Sequence, residues 1–434
     1  MSSIGALPDP GLPITPVLVA AAGSSWEARA LELLESRGSG VVLVRRCVDL
    51  LDLLAAAGAG VASVALVAPT LPGLDADSVS SLRRRGLAVV LVAAPEELLD
   101  GDTERLRRLG IDHLLASTEL GSLVETVTGA SAAAATVALR PPAVSSESEA
   151  VEVTGRLLAV WGPTGAPGRT TVAVGVAAEI AGSGREVLLA DMDAYGGAVA
   201  QHLGVLDEVS GLLGAARAAN TGQLSPERLG TLARQVGPRL RVLTGLPRPD
   251  RWQEVRPAAF ADVLEQAVHL APYVVLDLGF SLEADPVDPF GSSAPQRNEM
   301  TLAALQRADE VVVVGSADPV GLSRLARGLV ELNILLPGVP PRVVVNRTRP
   351  SLGWSDREIR GMVEGFVRPV DVHFLPEDRV AADRALMAGC SLADSGASPL
   401  QGALQRLAHQ VLGESGPSLP RRRRVTRRRA GRAR

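Results

Sequence analysis

The residues able to do chemistry sit in one glycine-rich stretch and at three aspartates. Between Leu157 and Thr171 the chain reads L-L-A-V-W-G-P-T-G-A-P-G-R-T-T. Its apolar start has the pattern of a buried strand. The Ala-, Val- and Gly-rich run over residues 170–180 reads as a helix packed closely on a sheet. A strand, a turn through Gly162, Gly165 and Gly168, and a helix in that order make a phosphate cradle. The turn aims backbone N–H groups inward, and the helix N-terminus adds about half a positive charge. Downstream, A-D-M-D-A-Y-G-G sets Asp191 and Asp193 after a strand expected over residues 186–190. Y-V-V-L-D-L sets Asp277 at the end of another, over residues 273–278. Carboxylates at strand ends are suited to holding a metal and its water shell beside phosphates.

The stretch fits the pattern G-x-x-x-x-G-K-[ST] imperfectly. Pro163 stands where the first Gly belongs and Arg169 where the Lys belongs, whereas Gly168 and Thr170 fit. Two other readings stay open: a strand–turn–helix unit without a ligand, and a dinucleotide-binding turn with Asp191 as its ribose acid. The spacing G-x-x-G-x-x-G speaks against the second. The chain contains no lysine, so an Arg in a Lys position also reflects composition.

Length and composition bound the rest. A chain of 434 residues is long enough for two domains. With 46% hydrophobic but only 3% aromatic residues, its cores must be built from Ala, Val and Leu. The net charge of −4 hides nine Arg and no acid after Pro420, which leaves −13 for the remainder. Cys47 and Cys390 are far apart and form no metal pattern, as expected of a reducing compartment. The N-terminus lacks a basic segment and a long apolar core, and no apolar run approaches the ~20 residues of a membrane span. A cytoplasmic protein is expected.

Over residues 16–128, strands expected at 16–22, 41–44, 63–68, 88–93 and 113–116 alternate with helices at 26–36, 48–57, 79–85, 103–108 and 120–127. This is an α/β, flavodoxin-like pattern. Residues 129–154 are rich in Ala, Ser and Pro and read as a linker. After the cradle, helices are expected at 211–219, 225–235, 322–332, 380–387 and 400–412, and strands at 240–243, 310–314, 342–345 and 372–375. Residues 280–300 read as an acidic, Pro- and Gly-rich loop. The expected domains are 1–128, 155–416 and an Arg-rich tail, 417–434.

L-P-G-L-D-A (Leu71–Ala76) resembles the segment after the third strand of receiver domains. That resemblance implies a phosphoacceptor Asp where this chain has Ala68, and an acidic pair where it has A-A-A-G (Ala20–Gly23). A receiver-like domain of this kind cannot be phosphorylated. Residues 155–413 resemble the ParA/MinD family of deviant Walker-A ATPases. The matching pieces are T-G-A-P-G-R-T-T, A-D-M-D-A-Y-G-G, V-V-L-D-L-G, V-V-N-R near Asn346 and P-E-D at 376–378. A receiver-like domain ahead of such an ATPase looks like the CpaE/TadZ branch. The Arg-rich, Lys-free composition looks most like actinobacterial septum site-determining proteins.

The resemblance implies a P-loop NTPase fold with a doubly wound, mostly parallel sheet, and ATP and Mg²⁺ as ligands. It places Thr164, Gly165, Ala166, Gly168, Arg169, Thr170 and Thr171 on the phosphates, and Asn346, Arg347 and Pro376 on adenine. Thr170, Asp191 and Asp277 would serve the metal. Asp193 would orient the attacking water, with Arg169 as the loop cation. It further implies a homodimer that positions pilus or division machinery. Four departures weaken the chemistry. Thr164 replaces the family's signature Lys, Arg169 replaces the loop Lys, Pro167 removes a backbone donor and Ala166 replaces a Gly. The tail Arg421–Arg434 has no apolar face. It reads as a solvated charge run, or as a contact for an anionic membrane surface at the cytoplasmic face or for DNA phosphates.

Overall fold

The computed structural model describes residues 14–36, 38–95, 106, 108–111, 113–138, 155–165, 167–205, 209–284 and 296–413. The expected tail, Ala166, residues 139–154 of the expected linker and most of the helix expected at 103–108 lie outside them.

The N-terminal sheet is built from β1 (Thr15–Ala20), β2 (Val41–Arg46), β3 (Val64–Val67), β4 (Ala88–Ala93) and β5 (His113–Ala116). All neighbours are parallel, in the order β2-β1-β3-β4-β5, the flavodoxin-like arrangement. Its strands are apolar on both faces because helices cover both. Helices α1 (Glu27–Leu34) and α4 (Leu123–Ala138) pack with Val17 and Val19 of β1; α2 (Leu50–Gly58) and α3 (Ala76–Arg84) pack with Leu18 and Ala20. Helix α4 corrects the expected linker. The Ala-rich residues up to Ala138 continue the helix, as Ala's helix propensity favours.

The second sheet has eight strands: β6 (Arg156–Trp161), β7 (Val187–Met192), β8 (Arg234–Gly237), β9 (Leu240–Leu243), β10 (Tyr273–Leu278), β11 (Glu310–Ser316), β12 (Arg342–Thr348) and β13 (Asp371–Pro376). Their order is β13-β12-β11-β6-β10-β7-β9-β8, parallel except for β8 against β9. Strand β8 replaces part of the helix expected at 225–235, which ends as α8 (Pro226–Leu232). On β6, Leu158 and Val160 face α5 (Arg169–Gly182) and α14 (Pro399–Val411). Leu157, Ala159 and Trp161 face the other layer, which includes α7 (Gly211–Asn220), α9 (Pro257–Leu270), α10 (Glu299–Arg307), α11 (Pro319–Leu335) and α12 (Asp356–Glu364). Between them in sequence lie the short α6 (Val199–His202) and α13 (Arg379–Ala388).

Helices α9, α10 and α12 are not among the elements expected from sequence. For α9 the signal was present: Pro257 at the first turn, then Phe260, Val263, Leu264 and Ala267 at helical spacing, all buried. Helix α10 begins inside the stretch expected to be loop, one residue after Asn298.

The two domains meet where α3 packs on the start of α9. Asp77 accepts the Ala258 N–H at 2.9 Å, and Arg256 pairs with Asp75 at 2.5 Å.

Leu404 of α14 is fully buried against α5, where Gly175 leaves it room. Replacing Leu404 by Ala is expected to cost the C-terminal domain about 2–5 kcal/mol. Denaturant melting followed by Trp fluorescence checks this, since Trp161 lies in that domain's core.

Candidate functional site

Strands β6, β10 and β7 lie side by side, so the three key segments leave the sheet at one edge. Asp277 pairs in register with Val160 on one side and Asp191 on the other. The glycine-rich turn leaves β6 at the same edge, the usual ligand crevice of a doubly wound sheet. Gly165 and Gly168 have φ of +105° and +101°, which a side chain would resist. Gly168 is also the N-cap of α5 and supplies no side-chain cap, so the first-turn N–H groups, through Thr171, are not taken by a capping side chain.

Arg169 lies across the turn rather than out of it. Its Nε donates to Leu278 O at 3.0 Å. Its Nη1 donates to Gly162 O at 3.3 Å and Pro163 O at 3.4 Å. Its Nη2 meets Asp193 Oδ2 at 3.3 Å, with the two side chains 13% and 8% exposed. The planar guanidinium thus bonds three carbonyls and one carboxylate, a geometry that an ammonium on a flexible stem does not reproduce. From the far side, Asn346 donates through Nδ2 to Pro167 O at 2.8 Å and accepts the Arg347 N–H through Oδ1. The Arg324 guanidinium rests on Gly165; a Cβ there would lie 2.2 Å from its Nη1. The hollow lined by Thr164, Gly165, Pro167, Ser316, Arg324 and Arg347 among others is about 50 Å³. Pro163, Thr164 and Arg324 also line a cavity of about 650 Å³ that runs along Phe280 and Glu283.

The carboxylates are buried. Thr170 Oγ1 donates to Asp277 Oδ2 at 2.7 Å, while Asp277 Oδ1 is buried without a partner. Burial first, and the neighbouring Asp191 second, hold the Asp277 carboxyl well above the usual carboxylate range. Asp191 is pushed up to about 7 by burial, with Asp193 adding to the rise. Its oxygens accept the Asp193 N–H at 3.2 Å and the Val199 N–H at 3.1 Å. Asp193 accepts the Tyr195 N–H at 2.8 Å, and Tyr195 Oη donates to Asn298 Oδ1 at 2.7 Å. The Tyr195 ring lies 4.7 Å from Phe280 and carries Arg297 4.0 Å above it.

Thr164, Gly165, Gly168, Arg169, Thr170, Asp193, Asp277, Asn346 and Arg347 come together around the turn. Both Asp191 oxygens accept backbone N–H groups of the chain leaving β7, one bond each. Asn346 likewise braces the turn through Pro167 O. Pro376 ends β13 across from Thr348. Among the described residues no group of three or more His, Cys, Asp or Glu stands ready to hold a metal. Thr170 and the orphaned Asp277 oxygen do fit a hydrated Mg²⁺. The triphosphate side does not fit, because its cation is already spent on protein groups. Arg324, Tyr195, Phe280 and Arg297 were not singled out from sequence. Nothing in local spacing marks them; tertiary packing brings them here.

No protein-family model matches the sequence, and no curated protein matches it. The solved structures it is similar to include ParA and MinD ATPases. A ParA family ATPase from Chlorobium tepidum is 20% identical, with 58% of this chain and 98% of that one covered and a TM-score of 0.48. The cell division ATPase MinD of Pyrococcus furiosus is 20% identical, covering 60% and 99%, at 0.46. The septum site-determining protein MinD of Pyrococcus horikoshii, complexed with Mg-ADP, is 17% identical, covering 59% and 96%, at 0.46. No described helix is long and apolar enough to cross a membrane.

The raised carboxyls set a pH dependence. Between about 4, where an unfolded Asp titrates, and about 7, the folded chain holds more protons than the unfolded one. This contribution to stability is therefore full below about 4 and is lost as pH rises through 7. Asp277→Asn keeps an acceptor for the Thr170 hydroxyl and cannot ionise. Because burial raises the Asp277 carboxyl, the stability of this variant relative to wild type is expected to grow as pH rises. Thermal melting of both proteins across that range checks it.

Proposed function

We propose that the C-terminal domain is a ParA/MinD-type scaffold whose phosphate cradle is closed by its own arginine. On this reading the chain places partners in the cell rather than turning over ATP. The observation that carries the reading is Arg169 bonded at once to Gly162 O, Pro163 O, Leu278 O and Asp193. A triphosphate arriving at the turn finds the loop cation neutralised. The carboxylate that would orient the attacking water is tied to that same cation. Phosphoryl transfer relies almost wholly on placed charge, so this arrangement suppresses hydrolysis.

The finer reading follows the sequence. The order of motifs and the receiver-like domain support the CpaE/TadZ branch, with pilus or septum machinery as the partner and a homodimer as the working unit. Ala68, fully buried just past β3, leaves that N-terminal domain without a phosphoacceptor. Arg421–Arg434 would add a salt-sensitive contact to anionic lipid or DNA.

One observation favours a second reading, an ATP-binding regulator that hydrolyses weakly. It is the Thr170–Asp277 pair, whose spare buried oxygen suits the water shell of Mg²⁺. When bound, the metal would supply charge to a β/γ-phosphate held by the turn.

Calorimetry separates the two. The full chain at about 100 µM is expected to give no MgATP-dependent heat, which bounds binding to weaker than about −5.5 kcal/mol. Binding tighter than about 10 µM that is lost in Arg169→Ala would replace the scaffold by the regulator.

A further inference from the structure

The start of α10 lies between α9, on which α3 docks, and the candidate site. On the interface side, Met300 and Ala304 of α10 share one buried cluster with Phe260 and Val263 of α9, and Arg307 donates to Ala261 O at 2.8 Å. On the site side, Asn298 accepts the Tyr195 hydroxyl, and its Nδ2 donates to Glu283 O at 2.8 Å. Arg297 lies over the Tyr195 ring and donates to Ala194 O at 3.2 Å. Within the first turn of α10, buried Thr301 packs on Gly279; a Cβ on that glycine would lie 3.2 Å from both Thr301 Oγ1 and Asp193 Oδ1. Helices α9 and α10 therefore stand between the N-terminal domain and the carboxylate that ties down Arg169.

The interface itself is built on charge at a helix end. Helix α9 has Arg256 as its N-cap, with no side-chain cap of its own. The other domain supplies one: Asp77, 6% exposed, takes the Ala258 N–H. A carboxylate at that position satisfies an orphan donor and meets the positive end of the helix dipole. The Arg256–Asp75 pair sits beside it. The second Asp77 oxygen is buried without a partner, so docking carries a desolvation cost that the Ala258 bond and the Arg256–Asp75 pair must offset.

We propose that the docked N-terminal domain is an intramolecular brake: α3, clasped to α9 through Asp75 and Asp77, fixes the first turn of α10, which keeps the Asp193 loop on Arg169 and the cradle shut. This deepens the closed-cradle reading and rests on it. A partner that takes the Asp75–Asp77 end of α3 releases α10, and with it Tyr195, Asp193 and the arginine. Tyr195 and Asn298 are then positioning residues for Asp193, acting through the loop rather than on a ligand.

Hydrogen–deuterium exchange on the full chain, without nucleotide, tests the brake. Asp77→Ala is expected to speed amide exchange at least tenfold at the α9 start, and also at residues 194–198 and 298–301. A second variant exchanges the charges, Asp75→Arg with Arg256→Asp; it is expected to restore slow exchange relative to Arg256→Asp alone. Faster exchange at the α9 start with residues 194–198 unchanged overturns the proposal. So does unchanged exchange at both places in a variant whose melting matches wild type. Failure of the closed-cradle reading looks different: wild type, with its exchange pattern intact, binds MgATP tightly.

Discussion

The constraint that organises the site is the burial of carboxylates at one edge of a parallel sheet. Asp191 and Asp277 lie side by side on neighbouring strands, each almost fully withdrawn from water. Two such groups are costly unless something positive or hydrogen-bonding faces them. Backbone N–H groups answer for Asp191 and the Thr170 hydroxyl for one oxygen of Asp277. Arg169 answers for the adjoining Asp193. The arginine's second task, bonding carbonyls at both sides of the glycine-rich turn, follows from its shape. Five donors in a rigid fork reach several acceptors at once.

That division of labour leaves a site of two unlike halves. The half near Thr170 and Asp277 keeps an oxygen with nothing to bind, the kind of loose end a hydrated metal ties off. The half near Gly165 is occupied by protein: Arg169 within, Arg324 above and Asn346 at the side. Three residues of the turn act in one direction. Thr164 carries no charge, Pro167 has no N–H, and Arg169 spends its donors on the protein itself.

The placement of the N-terminal domain bears on the same edge. Its α3 lends a cap to α9, the helix that leads into β10, and α9 in turn packs with α10. Everything between the interface and Asp193 is helix turn, ring stacking and short hydrogen bonds. Packed elements of that kind hold discrete arrangements rather than deforming smoothly.

Much of the architecture was legible in the sequence. Apolar runs ending in Gly or Asp marked most strands of both sheets, because parallel strands covered on both faces need no alternation. The turn at Gly165 and Gly168 and the clustering of Asp193 and Asp277 near it were also readable, since strand ends converge on one crevice in this class of sheet. Other parts were not readable. The Ala-rich run to Ala138 hid a helix end behind linker-like composition. Spacing put Asp191 at the crevice but could not say that the Asp193 and Val199 N–H groups would face its carboxylate. The sequence by itself determined which groups this crevice lacks: there is no lysine in the chain, and a proline stands among the turn's backbone donors. Only the tertiary structure decided what the remaining arginine does. Its partners come from residues far apart in the chain, Leu278 and Asp193 among them, and only the packed sheet brings their oxygens within reach of one guanidinium.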